Sequence, residues 1–374
     1  MNFFSILVKN LFRRKTRSLL TVVGLAVAVE ATVALIGVAS RFEQSYYELY
    51  DRMGVDLVVQ EGGGSQMLNR VIKEDFGEKI RGLSGVQKVA GGLVDTISFE
   101  DFDMPLVVIN GWPPGSSLFD HVTIIEGETL KPEHTNDVLL GKVLAKNLGK
   151  KVGDTVEIYA VPMKIVGIFE SFNVYENGAV TIPLASLQRL MDRPGRVSAF
   201  LVEAKDRTPE GVLELKQQIE ALAPNINAEP MKTFVGSVSH IKVSRAMAWM
   251  TSAIALVIGA VGMLNTMAMA VHERIKEIGT LRAIGWRKSR VVQMILGESL
   301  LLSLGGAVLG SALAVIVTRF FSKFPATAGL VDGYIAPEFI GLGFLLAIVV
   351  GVAGAAYPAW WGASLSPIEA LRKK

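Results

Sequence analysis

The side chains able to do chemistry are few and scattered along this 374-residue chain. His121, His134, His240 and His272 are its four histidines, and no two stand at a spacing that binds one metal ion, so no zinc centre is expected. Asp101 with Asp103, and Glu126 with Glu128, have the residue types of an acid and base pair. No partner nucleophile stands near either, and they read as solvated strand or loop carboxylates. The run Gly62, Gly63, Gly64 lacks the lysine and hydroxyl of a phosphate-binding loop, and Gly141-Lys142 is followed by Val143 where that hydroxyl belongs. A G-x-S-x-G nucleophile elbow is absent. With no cysteine, disulfides, thiolate metal sites and cysteine nucleophiles are excluded.

What remains is charge in unusual places. Glu30 and Glu298 each fall inside an apolar run, where an ionised carboxylate is costly and usually faces a bundle interior or water. Glu298 lies about two helical turns from Arg287, Lys288 and Arg290, close enough to an interface for a structural role. For Glu30, deeper in its run, structural and functional roles stand level. Between two further apolar runs, residues 271–292 read V-H-E-R-I-K-E-I-G-T-L-R-A-I-G-W-R-K-S-R-V-V. This segment holds neither a membrane span nor a folded domain and must be a connector at a membrane surface.

The elements that position these groups follow from composition. Half the chain is apolar, 37 residues are glycine and the mean hydropathy is positive. The apolar excess is concentrated in windows 19–38, 247–271, 291–317 and 339–359. About 20 such residues cross the roughly 30 Å hydrocarbon core, so four transmembrane helices are predicted. The first window is longer than a signal-peptide core and runs into Arg41-Phe42-Glu43 rather than a small-residue cleavage site. Before it, Phe3, Ile6, Leu7 and Leu11 at helical spacing, closed by Arg13, Arg14, Lys15 and Arg17, predict an amphipathic interfacial helix.

Lysine and arginine set the orientation. Five precede the first window, six lie between Arg274 and Arg290 and three end the chain, against Lys323 alone in 320–338. Both termini and the connector are therefore expected in the cytoplasm, and the long segment after the first span outside it. The net charge of +3 is small and clusters beside the spans, which implies a lipid bilayer rather than nucleic acid as partner.

The resulting map is an interfacial helix at 1–17, spans at 18–41, 246–271, 291–318 and 339–361, an extracytoplasmic domain at 42–245, a connector at 272–290, a short outer loop at 319–338 and a cytoplasmic tail at 362–374. The fold class is an α-helical membrane protein with an α+β domain inserted between helices 1 and 2. Within that domain, residues 70–81 are expected to be helical. Strands are expected at 86–94, 106–110, 163–169 and 199–203, a short helix ending at Gly149, and helices at 183–191 and 209–222. Two lobes are anticipated, one over about 80–205 and a less regular one from the flanking residues. Helices continuing out of the first two spans, with Tyr46, Tyr47 and Tyr50 on one of them, would form a stalk. Gly24 with Ala28, Gly306 with Gly310, and Gly351 with Ala355 have the four-residue spacing that lets spans pack closely, within or between subunits.

Four motifs in order resemble the MacB/FtsX-type ABC transporter permeases. The connector is similar to the E-R-x-x-E-I-G-x-x-R-A-x-G signature, with Glu273, Arg274, Glu277, Ile278, Gly279, Arg282, Ala283 and Gly285 at the signature positions. The tail S-P-I-E-A-L-R, the opening R-R-K-T-R-S-L-L-T, and V-L-L-G-K-V-L-A-K-N-L-G with V-G-D-T-V and K-I-V-G-I-F complete the resemblance. It implies a non-catalytic permease subunit of the bacterial inner membrane that dimerises with a second copy or a paralogue. It also implies a dimeric cytoplasmic ABC ATPase on a separate chain, which binds ATP and magnesium, so that no cofactor sits on this one. MacB itself carries its ATPase on the same chain. The outer domain would act as a lever in export or efflux, a mechanism called mechanotransmission, with a periplasmic adaptor protein as a further partner. The alternative is an FtsX-like scaffold that regulates an extracytoplasmic cell-wall hydrolase.

The connector residues fit a coupling role by themselves. Ile275, Ile278, Leu281 and Ile284 recur every three residues, a spacing that drifts around a helix, and Gly279 and Gly285 are expected to break or turn it.

Overall fold

The computed structural model describes residues 10, 15–62, 71–133, 135–324, 327, 331, 333–366, 368 and 370. Most of the expected interfacial helix, the glycine loop beyond Gly62, His134, and Pro367, Glu369 and residues 371–374 of the tail lie outside the described residues. The chain forms two compact units, one from within 1–39, 245–319 and 333–374, the other from within 40–244 and 320–332. Lys15–Arg52 (α1), Ile241–Glu273, Lys288–Phe321 and Pro337–Ser364 are long and apolar enough to cross a membrane. A continuous helix satisfies its own backbone polar groups, which lipid cannot do, so apolar runs of this length fold this way. This is an α-helical membrane protein with an α+β domain between its first two long helices.

The domain unit begins with the last turns of α1, whose Phe42, Tyr46, Tyr47 and Tyr50 pack against Met231, Phe234 and Val235. Its elements are β1 (Leu57–Glu61), β2 (Ile72–Lys73), α2 (Phe76–Arg81), β3 (Val86–Phe99), β4 (Met104–Trp112), β5 (Thr123–Gly127), β6 (Asp137–Gly141) and α3 (Lys142–Leu148). Then come β7 (Thr155–Ile158), β8 (Val161–Glu170), α4 (Val174–Asn177), β9 (Val180–Pro183), α5 (Leu184–Leu190) and β10 (Arg196–Val197). The unit closes with β11 (Ala199–Ala204), α6 (Pro209–Glu220), β12 (Ile226–Pro230) and α7 (Met231–Ser237). Local signals account for several of these elements. Thr208 caps α6 by accepting from Gly211 N at 3.2 Å with proline in the first turn, and left-handed Gly149 ends α3.

One long strand joins two lobes. The first half of β3 pairs with β11, which continues through β1 to β12, every neighbour antiparallel. With α2 and α6 this is a split β-α-β, β-α-β lobe. From Leu93 onward β3 instead pairs with β4 and leads into the order β4, β9, β6, β8, β5. A Cβ at Gly91, near this hand-over, would lie 2.9 Å from the Phe200 ring, so glycine is what lets β11 close there.

Two expectations change. Residues 72 and 73 form a short strand with β10, and the helix starts only at Phe76, because the β-branched end of that segment is taken up by a pairing partner more than 120 residues away. The flanking lobe is not irregular, and its boundary with the inserted lobe runs through β3 rather than near residue 80.

The other unit holds most of α8 (Ser239–Glu273) and α10 (Lys288–Phe321), together with α9 (Ile275–Ala283) and α11 (Pro337–Ser364). Small residues set their approach. A Cβ at Gly310 would lie 2.5 Å from the Ala26 carbonyl of α1, and one at Gly351 would lie 2.0 Å from Ser303 Oγ of α10. Those two sites pack within the chain, whereas no described residue lies within 4 Å of a Cβ built on Gly24. The exposed large apolar side chains of the long helices, Leu20, Val257, Ile258 and Val349 among them, suit a lipid environment.

Candidate coupling site

The connector folds as a discrete short helix. α8 stops at Glu273, Arg274 leaves helical geometry with φ −112° and ψ 15°, and α9 begins at Ile275. Gly285 ends the unit at φ +100°, with Gly285 N donating to Arg282 O at 3.2 Å and Trp286 N to Leu281 O at 3.0 Å. That pair of bonds is a Schellman cap, which needs glycine at its left-handed position. Gly279 does something different. It lies inside α9, and a Cβ there would stand 2.6 Å from Ala370 Cβ, so it admits the tail against the helix instead of breaking it.

Apolar packing fixes one face. Ile278 is buried with Val271, Val291 and Ala363, Leu281 and Trp286 pack against the same cluster, and Ile275 is buried at the start of α9. Ile284, the fourth member of the three-residue series, follows the helix and is 71% exposed. The drift expected from the spacing therefore splits the series, three inward and one outward.

Charge fixes the breaks. Arg274 Nη1 donates to both oxygens of Glu298, at 2.8 and 3.1 Å, and its Nε donates to Glu277 at 3.1 Å. Asn10 Nδ2 donates to the same carboxylate at 2.7 Å. Burial works against the Arg274 charge, but Glu298 and Glu277 outweigh it and hold the guanidinium above its usual range. Nearby, Arg17 donates to both oxygens of Glu273 at 2.8 and 2.5 Å, which ties α1 to the end of α8. The His272 ring stacks on Trp361 at 4.5 Å, and Arg282 Nη1 donates to the Trp286 carbonyl at 2.9 Å.

The eight signature positions thus divide by role. Arg274, Ile278 and Gly279 face inward, Arg282 braces the turn, and Glu273 and Glu277 are exposed but engaged in ion pairs. Ala283 and Gly285 stand at the surface with Lys276, Thr280, Ile284, Arg287 and Lys288. Glu298 is drawn into the cluster, whereas Glu30 is half-buried on α1 and forms no hydrogen bond or ion pair with the described residues. Sequence reasoning did not find the partners Asn10, Arg17 and Ala370; only Arg17, as a cation one helix away from an acidic signature position, left any trace.

The other groups with chemical potential lie elsewhere. His121 Nε2 meets both oxygens of Glu176 at 2.8 and 2.9 Å inside the domain unit, and Glu128 pairs with Lys131. Asp101 and Asp103 are exposed at the turn between β3 and β4.

Comparison with known proteins agrees with this architecture. Residues 18–222 match the family described as MacB-like periplasmic core domain, and residues 249–367 match the FtsX-like permease C-terminal family. An uncharacterized ABC transporter permease from Methanocaldococcus jannaschii is 26% identical, over 97% of this chain and 96% of its own length. A macrolide export ATP-binding/permease protein MacB from Bdellovibrio bacteriovorus is 24% identical over 97% of this chain, which spans 60% of that relative. The crystal structure of the periplasmic region of MacB from Actinobacillus actinomycetemcomitans is 14% identical, covering 50% of this chain and 94% of that one with a TM-score of 0.38. The chain belongs to the MacB/FtsX-type family of ABC transporter permeases.

Proposed function

We propose that this chain couples ATP hydrolysis by a cytoplasmic ABC ATPase to movement of its inserted domain, in an export or efflux system of the inner membrane. The observation that carries this reading is the two-faced connector. Its inner face is clamped by Ile278, by Gly279 against Ala370, and by Arg274 on Glu298. Its outer face presents an exposed isoleucine among Lys276, Arg287 and Lys288. A rigid element of this kind passes on a push that a flexible loop would absorb.

The ATPase binds ATP and magnesium and receives α9 in an apolar groove with acidic edges. The match of residues 18–222 to a MacB-like core domain supports the lever form over a hydrolase scaffold. A second copy or a paralogue completes the membrane assembly, and a periplasmic adaptor engages the domain. The test is co-purification of the full chain with its ATPase from native membranes. Ile284→Glu, at a position 71% exposed, is expected to lower ATPase recovery about tenfold, equivalent to about 1.4 kcal/mol. Recovery unchanged in that variant and in Arg287→Glu would sink the coupling assignment.

A further inference from the structure

Resting on the lever reading above, we infer that residues 171–177 form a fixed joint between the end of α1 and the inserted lobe, with Asn173 as its positioning residue. Asn173 is only 2% exposed and faces two ways. Its Oδ1 accepts from Tyr175 N at 2.8 Å and Glu176 N at 3.4 Å, which caps α4. Its Nδ2 donates to the Ser45 carbonyl at 2.8 Å and to Ser45 Oγ at 2.9 Å on α1. One side chain therefore closes the segment on itself and binds it to the helix.

The rest of the segment leaves little freedom. Ser171 N donates to Asn177 Oδ1 at 2.9 Å, and Asn177 Nδ2 returns a bond to Ser171 O at 2.7 Å. Ser171 Oγ donates to Glu176 at 2.6 Å, and the same carboxylate meets buried His121. Aromatic contacts widen the grip on α1: Tyr175 lies edge-on to Phe42 at 4.6 Å, and the Arg52 guanidinium sits 4.1 Å over the Phe172 ring. On the lobe side, a Cβ on Gly141 of β6 would fall 2.4 Å from Asn177 O, so the segment is seated directly on a sheet strand. Nothing in the helical caps or the sheet requires a bond to Ser45. That bond serves the connection between helix and lobe.

A joint that stays closed turns movement of α1 into movement of the lobe. The test uses the full chain with its ATPase in nanodiscs, reading hydrogen exchange over residues 93–198 with and without trapped nucleotide. Asn173→Asp keeps the cap but sets a carboxylate oxygen against the Ser45 carbonyl. It is expected to keep ATP hydrolysis within about twofold of wild type while the nucleotide-dependent exchange change in the lobe falls about fivefold or more. In the cysteine-free chain, Ser45→Cys with Asn173→Cys should behave alike before bridging and regain the lobe response once a short bifunctional thiol reagent links the pair.

An unchanged lobe response in Asn173→Asp overturns the joint. So does loss of ATP hydrolysis in that variant, which would mark a role in folding or assembly, or a bridged pair that stays unresponsive. If the wild-type lobe shows no nucleotide-dependent change while the ATPase is bound and active, the lever reading itself fails, and the joint with it.

Discussion

The clusters around Arg274 and Asn173 both bury polar groups against long helices, with opposite materials. Around Arg274 the partners are long charged side chains, with Glu298 shared between a guanidinium and an amide. Around Asn173 they are short side chains aimed at backbone atoms, with one carboxylate, Glu176, at the back. Short side chains lose little rotamer freedom when fixed, and their bonds to backbone permit one arrangement. A charged cluster can exchange partners as helices shift, but it leaves a buried charge unpaired if one member is removed. These materials suit the two proposed roles, a connector held while it moves and an Asn173 segment that stays as it is.

This contrast is open to breakage. The largest effect is expected from Arg274→Met, which strands Glu298 and should destabilise the solubilised chain by about 3–5 kcal/mol. Arg274→Met combined with Glu298→Leu should recover most of that loss in thermal unfolding; failure to recover would mean that the pair does more than neutralise itself.

The next concerns the outer cluster. Burial, then the Glu176 charge, push the Tyr46 phenol from 10.0 to about 12. The folded state therefore favours the protonated phenol, and its stabilisation is complete below pH 10 and lost as pH rises toward 12. The loss should be about 2–3 kcal/mol. Alkaline melting of Tyr46→Phe should lack this component, and Glu176→Gln should shrink it.

Smaller again is Gly279→Ala, whose added methyl overlaps Ala370 and should cost about 1–3 kcal/mol. Ala370→Gly in the same chain should restore the melting temperature if the tail contact is the cause. The smallest is Arg17→Ala. Its pair with Glu273 is partly exposed, with side chains 24% and 34% accessible, so about 0–1 kcal/mol is expected, and less in high salt. A larger effect there would place the half-exposed pair in the same class as Arg274 with Glu298.

Much of the architecture was legible because its signals are local. The spans are composition alone, the caps at Thr208 and Gly149 are short motifs, and Gly285 announced a turn that the Schellman bonds supply. What could not be read depends on contacts distant in sequence. Gly279 resembled a helix breaker because Ala370, its reason for being glycine, stands at the far end of the chain. Glu298 was visible as a carboxylate inside an apolar run near an interface, but its cation came from the connector and its amide from Asn10. The regular flanking lobe was hidden because β1 and β12, paired over their full length, are separated by the whole inserted lobe. Asn173 gave no signal, since α4 is only four residues long and the bond to Ser45 appears only in three dimensions.

The central claim is that the connector shows one face to the bundle and the other to an ATPase. Site-specific photocrosslinking in native membranes tests it most directly, with the crosslinker placed in turn at Ile284 and at Ile278. The account predicts capture of an ABC ATPase from position 284 and capture only within the chain from position 278. Capture of the ATPase from 278, or its absence at 284 while the complex remains intact, would contradict it.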